Sequence, residues 1–139
     1  EFDKALRSLK KKDMTALILD LRGNPGGYLN AAIDIADEFL PDQKLIVYTE
    51  GKARPRRYAF ATKKGDWEKN TLVILIDEGS ASASEIVTGA VQDNDRATVI
   101  GRRSFGKGLV QEQMSLADSS AIRLTVARYY TPTGRCIQK

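Results

Sequence analysis

The stretch that most constrains this chain runs from Thr71 to Val91. Thr71-Leu72-Val73-Ile74-Leu75-Ile76-Asp77 is its most apolar run, with the length and side chains of a buried strand. Asp77-Glu78-Gly79-Ser80-Ala81-Ser82-Ala83-Ser84-Glu85 follows, and Ile86, Val87, Ala90 and Val91 then fall on one helical face. A strand that hands over to a helix leaves unpaired N–H groups and the positive end of the helix dipole above the sheet edge. Such a junction suits a nucleophile and an oxyanion, and it suits a plain helix N-cap equally well.

The same grammar occurs earlier. Ala16–Leu21 is a compact apolar run that reads as a buried strand, and it ends in the turn Arg22-Gly23-Asn24-Pro25-Gly26-Gly27, where glycine permits positive φ or close backbone approach. Leu29, Ala32, Ile33, Ala36, Phe39 and Leu40 then mark a helix that stops at Pro41. Residues 2–11 read as a short amphipathic helix. Leu45–Thr49 and Arg57–Thr62 have strand character, a polar link covers Lys63–Asn70, and Ala97–Ile100 is a further strand. Leu109–Met114 and Ile122–Ala127 alternate as a hairpin around Ala117-Asp118-Ser119-Ser120. Strand, turn, helix and strand in repetition predict an α/β fold with right-handed βαβ crossovers on a mostly parallel sheet and a C-terminal β-hairpin. Ligands bind such sheets at the carboxyl ends of the strands, which puts the turns 22–27 and 77–85 on one rim.

At 139 residues the chain is expected to form a single domain and to bury about two-thirds of its unfolded surface. It carries 22 basic and 18 acidic residues, a formal charge of +4. The basic runs Lys10-Lys11-Lys12, Lys52–Arg57 and Arg102-Arg103 are short and read as solvated faces, so no nucleic-acid partner is expected. Cys136 is alone and there is no histidine. This excludes an internal disulfide, a cysteine metal cluster, an imidazole metal site and a Ser-His-Asp triad, and no metal or other cofactor is expected. No window approaches the roughly 18 apolar residues of a membrane span, and no signal segment is recognisable. A start inside a helix without methionine suggests a piece of a longer protein.

Two chemistries fit the turns. Gly101-Arg102-Arg103-Ser104-Phe105-Gly106-Lys107 has the glycine and lysine spacing of a nucleotide-binding P-loop, but Gly108 occupies the Ser/Thr position and the residues after it alternate as a strand. The other chemistry pairs a serine nucleophile with a lysine base, which needs no histidine. The serine turn and Phe105-Gly106-Lys107-Gly108 each close a strand-like run, and in adjacent strands they would meet. A lysine, with an ordinary pKa of about 10.4, acts as a base near neutrality when burial disfavours its charge.

Five blocks, in order, carry a resemblance: Leu19-Asp20-Leu21-Arg22-Gly23-Asn24-Pro25-Gly26-Gly27, Gly79-Ser80-Ala81-Ser82-Ala83-Ser84-Glu85-Ile86, Gln92-Asp93, Phe105-Gly106-Lys107-Gly108 with Gln111, and Arg128-Tyr129-Tyr130-Thr131-Pro132. From about residue 15 onward the chain resembles the carboxyl-terminal processing, or tail-specific, proteases. The resemblance implies a ClpP/crotonase-like core and a serine endopeptidase that cuts polypeptides at or near their C-termini through an acyl-enzyme. By resemblance Ser82 is the nucleophile, Lys107 the base and Gln111 the residue that orients the lysine amine. Four residues of straight strand span about 13 Å, so contact between Lys107 and Gln111 calls for a bend or bulge. Ser84 is expected to be a helix-cap hydroxyl and Ser80 a turn residue.

The resemblance further implies an oxyanion hole made of the Ala83 backbone N–H and an N–H of Gly26 or Gly27. Members of that family carry a peptide-binding PDZ domain ahead of the core, so residues 1–139 are expected to be one partial core domain, without the PDZ domain and flanking segments. The implied partners are polypeptide C-terminal segments, with membrane contact only through segments outside this chain and an extracytoplasmic location (periplasm, cell envelope or thylakoid lumen). A second class of function stays open: a catalytically inactive scaffold or peptide-binding fragment that takes up an extended peptide by strand addition.

Overall fold

The structure, a computed structural model, describes residues 1–62 and 64–139. Its elements follow the hydrophobic periodicity: α1 (Phe2–Lys10), β1 (Ala16–Asp20), α2 (Leu29–Asp37), β2 (Leu45–Gly51), β3 (Arg54–Phe60), β4 (Thr71–Ile76), α3 (Ala83–Asp93), β5 (Thr98–Gly101), β6 (Leu109–Ser115) and β7 (Ala121–Tyr130). Lys63, at the head of the expected polar link, lies outside the described residues.

The α/β fold is present as two sheets. A parallel sheet has the order β1-β4-β5, and an antiparallel sheet has the order β3-β2-β7-β6. β4, the most apolar strand, is central, with Ala16 to Asp20 of β1 in register with Thr71 to Leu75 and Val73 to Ile76 in register with Thr98 to Gly101. After α2 the chain does not return to this sheet. The Gln43 N–H donates to Ala61 O (2.8 Å) and the Ala61 N–H to Lys44 O (2.8 Å), which starts β2 as one arm of a hairpin with β3. β2 then pairs with β7, so the parallel sheet keeps three strands and the expected C-terminal hairpin β6-β7 belongs to a four-stranded antiparallel sheet. Tyr48 stacks on Tyr130 at 4.9 Å across the β2-β7 pair, and the Arg56 guanidinium lies 4.7 Å from the Tyr48 ring centre. Those contacts join three strands of that sheet through one aromatic ring.

The core lies between the helices and one face of the parallel sheet. Leu72 and Ile74 of β4 meet Ala32, Ala36 and Phe39 of the α2 segment and Ile86, Val87, Ala90 and Val91 of α3. The other face is open, with Ile18 65% and Ile100 52% exposed. β1 is thus a half-covered strand and not the buried one its composition suggests. α1 closes the near end through Leu6 and an edge-on contact of Phe2 with Phe39 at 5.8 Å, while Arg7 and Lys10 pair with Asp66.

Several basic residues of the runs are paired at the surface: Arg54 with Glu112, Arg56 with Glu50 and Arg102 with Glu78. The polar link holds a feature its composition hides. Trp67 is 2% exposed, donates Nε1–H to Thr71 O (3.1 Å) and accepts the Arg96 guanidinium on its carbonyl. The link is thereby an anchored lid over the core. Trp67→Ala is expected to lower the unfolding free energy by about 3–5 kcal/mol in a urea titration, and a loss below about 1 kcal/mol would show that the link is not part of the core.

Candidate active site

Three successive carboxyl ends of the parallel sheet supply three turns. β1 runs into 21–28, β4 into 77–82 and β5 into 102–108, so the serine turn is central and the glycine and lysine turns flank it. The common rim expected from the chain's pattern is therefore formed.

Asp77 ties the first two turns together. Its Oδ1 accepts the Gly23 N–H (2.8 Å) and the Gly79 N–H (2.9 Å), and the Gly23 bond is the main reason its carboxyl is held below the ordinary value, with Gly79 and Ser80 adding to it. Beside it, Arg22 donates side-chain and backbone hydrogen bonds to Asp20, whose pKa is lowered to about 2. Ser80, fully buried, donates Oγ–H to Leu21 O (2.7 Å) and accepts the Asp77 N–H (2.9 Å). Ser84, 4% exposed, donates to Asn24 O (3.1 Å), which also accepts the Ala81 N–H (3.0 Å). Ser84 is thus a tie between turns and not the expected cap of its own helix. Both flanking hydroxyls are committed to carbonyls across the rim.

Ser82 differs from its neighbours. It is half-buried at the N-cap of α3, with φ +53° and ψ −114°, a conformation sparsely populated by residues with a Cβ and costing about 1–3 kcal/mol. A serine held on a strained strand-to-helix turn projects its hydroxyl above the sheet. Its N–H donates to Glu85 Oε2 at 2.8 Å. Asn24 Oδ1 accepts the Gly26 N–H at 2.9 Å, so that donor is engaged, whereas the Gly27 and Ala83 N–H groups donate to no described residue. A Cβ on Gly26, φ +93°, would lie 2.6 Å from Ala81 O and 2.7 Å from Ala83 N, while one on Gly27 would meet nothing within 4 Å. Gly26 is therefore the close-packing glycine and Gly27 the open one.

The lysine turn docks on the same junction. The Phe105 N–H donates to Ser80 O (3.0 Å). Glu85 Oε1 accepts Ser104 Oγ–H and the Gly106 N–H, both at 2.7 Å, and Glu85 Oε2 accepts the Lys107 N–H at 2.8 Å. The backbone nitrogens of Ser82 and Lys107 thus share one carboxylate oxygen. Gly106 (φ +88°) and Gly108 are buried; a Cβ on Gly108 would lie 2.2 Å from Gln138 N. The Lys107 side chain is exposed, so the described residues do not supply the burial that a lysine base near neutrality requires. Gln111 lies in β6, where Val110 pairs with Ala127 but Gln111 with Thr125, a register shift that skips Val126. The extra residue is on β7 and not in the Lys107–Gln111 stretch, where the bend or bulge is expected. The Lys107 amine and the Gln111 amide make no hydrogen bond to each other among the described residues.

Strand β6 begins at Leu109, so the P-loop alternative lacks the helix that would carry its phosphate site. An apolar cavity of about 160 Å³ opens beside Gly27 and Ala83, with Leu21, Ala32, Ile35 and Val87 among its walls. Glu85, Asn24 and Asp77 are polar residues that lie inside the motifs but to which the motifs assign no role. The spacing Ser82-x-x-Glu85 is a capping-box signature and could have singled out the glutamate.

Comparison with known proteins decides the family. The sequence profile described as Peptidase family S41 matches residues 1–139. The chain belongs to peptidase family S41. It is 51% identical over 122 residues to a carboxy-terminal-processing protease of Bartonella bacilliformis, covering 87% of this chain and 28% of that protein. It is 45% identical over 135 residues to a carboxyl-terminal-processing protease of Synechocystis, covering 97% of this chain and 31% of that one. Among solved structures, the photosystem II D1 C-terminal processing protease superposes with a TM-score of 0.89 at 37% identity, covering 97% of this chain and 35% of the other. The chain spans under a third of the length of these two curated relatives.

Two expectations follow. Gly26→Ala lowers Tm by several degrees, since a strained Cβ destabilises by about 1–3 kcal/mol, while Gly27→Ala leaves Tm nearly unchanged; calorimetry giving equal losses would contradict the assignment. The lowered Asp77 value makes its stabilisation fully present above its unfolded pKa of about 3.9 and lost as pH falls through the folded one. Asp77→Asn should therefore reduce Tm at neutral pH, with the gap to wild type closing as the pH is lowered from about 5 towards 2. A gap independent of pH would assign the effect to shape and not to charge.

Proposed function

We propose that this S41 peptidase chain is the catalytic core of a serine endopeptidase that cleaves polypeptides at or near their C-termini, with Ser82 as nucleophile and Lys107 as its base. The observation that carries the reading is the shared carboxylate of Glu85, which accepts the backbone N–H of both residues at 2.8 Å. Ser82 is favoured over its neighbours because Ser80 and Ser84 spend their hydroxyls on Leu21 O and Asn24 O.

In this reading the Lys107 amine takes the Ser82 proton as Oγ attacks the scissile carbonyl. The resulting oxyanion is received by the Ala83 N–H and, because Gly26 is engaged with Asn24, by the Gly27 N–H. Each such donor contributes about 2.7–4 kcal/mol of transition-state stabilisation. The amine then gives its proton to the leaving nitrogen, the acyl group stays on Ser82 Oγ, and water attacks the ester with Lys107 again as base. Gln111, on β6 four residues after Lys107, orients the amine. The Lys107 side chain is exposed, and a peptide lying over the rim excludes water from around it. The apolar cavity beside Gly27 and Ala83 takes the side chain preceding the cut, which its size restricts to small and medium apolar residues.

The naming of relatives as carboxyl-terminal processing proteases supports the substrate class. An extracytoplasmic place of work belongs to the reading through the same likeness. The alternative of a non-catalytic, peptide-binding piece makes the opposite forecast for turnover. In the full-length protein, Ser82→Ala and Lys107→Ala are each expected to lower peptide hydrolysis at least about 10³-fold, while Ser80→Ala and Ser84→Ala, where folded, keep measurable turnover. Hydrolysis at the wild-type rate by Ser82→Ala would remove the nucleophile assignment, and binding without turnover by the wild type would favour the scaffold.

A further inference from the structure

We propose that Glu85 is the positioning residue of the pair: its carboxylate fixes the lysine turn against the serine turn, and without it the Lys107 amine and Ser82 Oγ fall out of reach of each other. This rests on the reading of Ser82 and Lys107 given above.

A capping box asks only that the glutamate at the third helical position accept the N-cap N–H, and an exposed side chain does that. Glu85 does much more. It is 7% exposed and receives four donors: the Ser82 and Lys107 N–H groups on Oε2, and the Gly106 N–H and Ser104 Oγ–H on Oε1. Three of the four come from the lysine turn. Among the described residues no cation pairs with it, so its charge is held by these four donors and by the positive end of α3. Ionised, a carboxylate accepts on both oxygens and matches four donors without remainder. The carboxylate sits on α3, a helix with eight buried residues, so its position is set by the core and passed on to both turns.

Substitution by glutamine replaces one oxygen with an NH2 group, which turns donor against donor at two of the four bonds. Buried N–H groups are then left unsatisfied, and the lysine turn shifts relative to Ser82. A misplacement of about 1 Å in a reacting pair costs about 100-fold in rate.

The test uses the full-length protein, a peptide substrate and a fluorophosphonate that labels an activated serine. Glu85→Gln is expected to lower kcat about 100-fold with KM within about threefold, and to slow phosphonylation of Ser82 in parallel. On a Lys107→Ala background the same substitution should slow phosphonylation no further, because no base is left to position. A kcat within about threefold of wild type, or an equal slowing on the Lys107→Ala background, overturns the proposal. Should Glu85→Gln not fold, Ser104→Ala removes one donor and leaves the three backbone bonds; a kcat lowered about fivefold at unchanged KM supports the proposal, and wild-type kcat overturns it. If Ser82→Ala and Lys107→Ala themselves keep full activity, it is the serine-lysine reading that fails; if both are inactive while Glu85→Gln is not, only the role of Glu85 falls.

Discussion

A buried carboxylate with four donors holds the serine and lysine turns together. Chain segments that leave two neighbouring strands, β4 and β5, would otherwise diverge above the sheet, since each continues into a different kind of element: the first into α3, the second into β6. Glu85 binds both at once. Such an arrangement has a high penalty for partial failure, because each donor left unmet inside the protein costs about 1–3 kcal/mol. It also lets Ser82 keep a backbone conformation that a lone serine would leave.

On the opposite flank the device is different. There the glycine turn of β1 is joined to the serine turn through neutral groups, Asn24 O with Ala81 N–H and Ser84 Oγ, and through the half-buried Asp77 carboxylate. Gly26 allows the two backbones to approach to distances that no side chain permits, which leaves the Ala83 and Gly27 N–H groups open on one side of the rim. A parallel sheet makes this possible because consecutive carboxyl ends lie side by side. In the proposed reading three turns and one helix carry the chemistry, while the antiparallel sheet holds Gln111 on β6 and closes the lysine turn through the Tyr129 N–H on Gly108 O.

Much of this was legible in the residues. The runs Ala16–Leu21 and Thr71–Asp77, each followed by a turn and a helical face, announced two parallel strands with turns on one rim, and absence of histidine directed attention to lysine. Other features depend on contacts that no local pattern encodes. β2 has the composition of a strand for either sheet, and only the turn closed by Ala61 sends it to the antiparallel one. Trp67 sits in a stretch of charged residues, so its burial was hidden by its neighbours. Ser84 has the position of a cap, yet the carbonyl of Asn24, sixty residues earlier, is its partner. The donors to Glu85 from Ser104, Gly106 and Lys107 lie 19, 21 and 22 residues away, which spacing alone does not disclose. Lys107 is exposed, as a solvated loop residue would be, because the turn is tethered by its backbone and leaves the side chain outside.

The most direct measurement is the site of covalent labelling in the full-length protein. After reaction with a fluorophosphonate and proteolytic digestion, fragment-ion sequencing locates the adduct among Ser80, Ser82 and Ser84. The prediction is a single adduct on Ser82 that forms much more slowly, though still measurably, when Lys107 is replaced by alanine. An adduct on Ser80 or Ser84, or labelling of Ser82 that proceeds unchanged without Lys107, would contradict it.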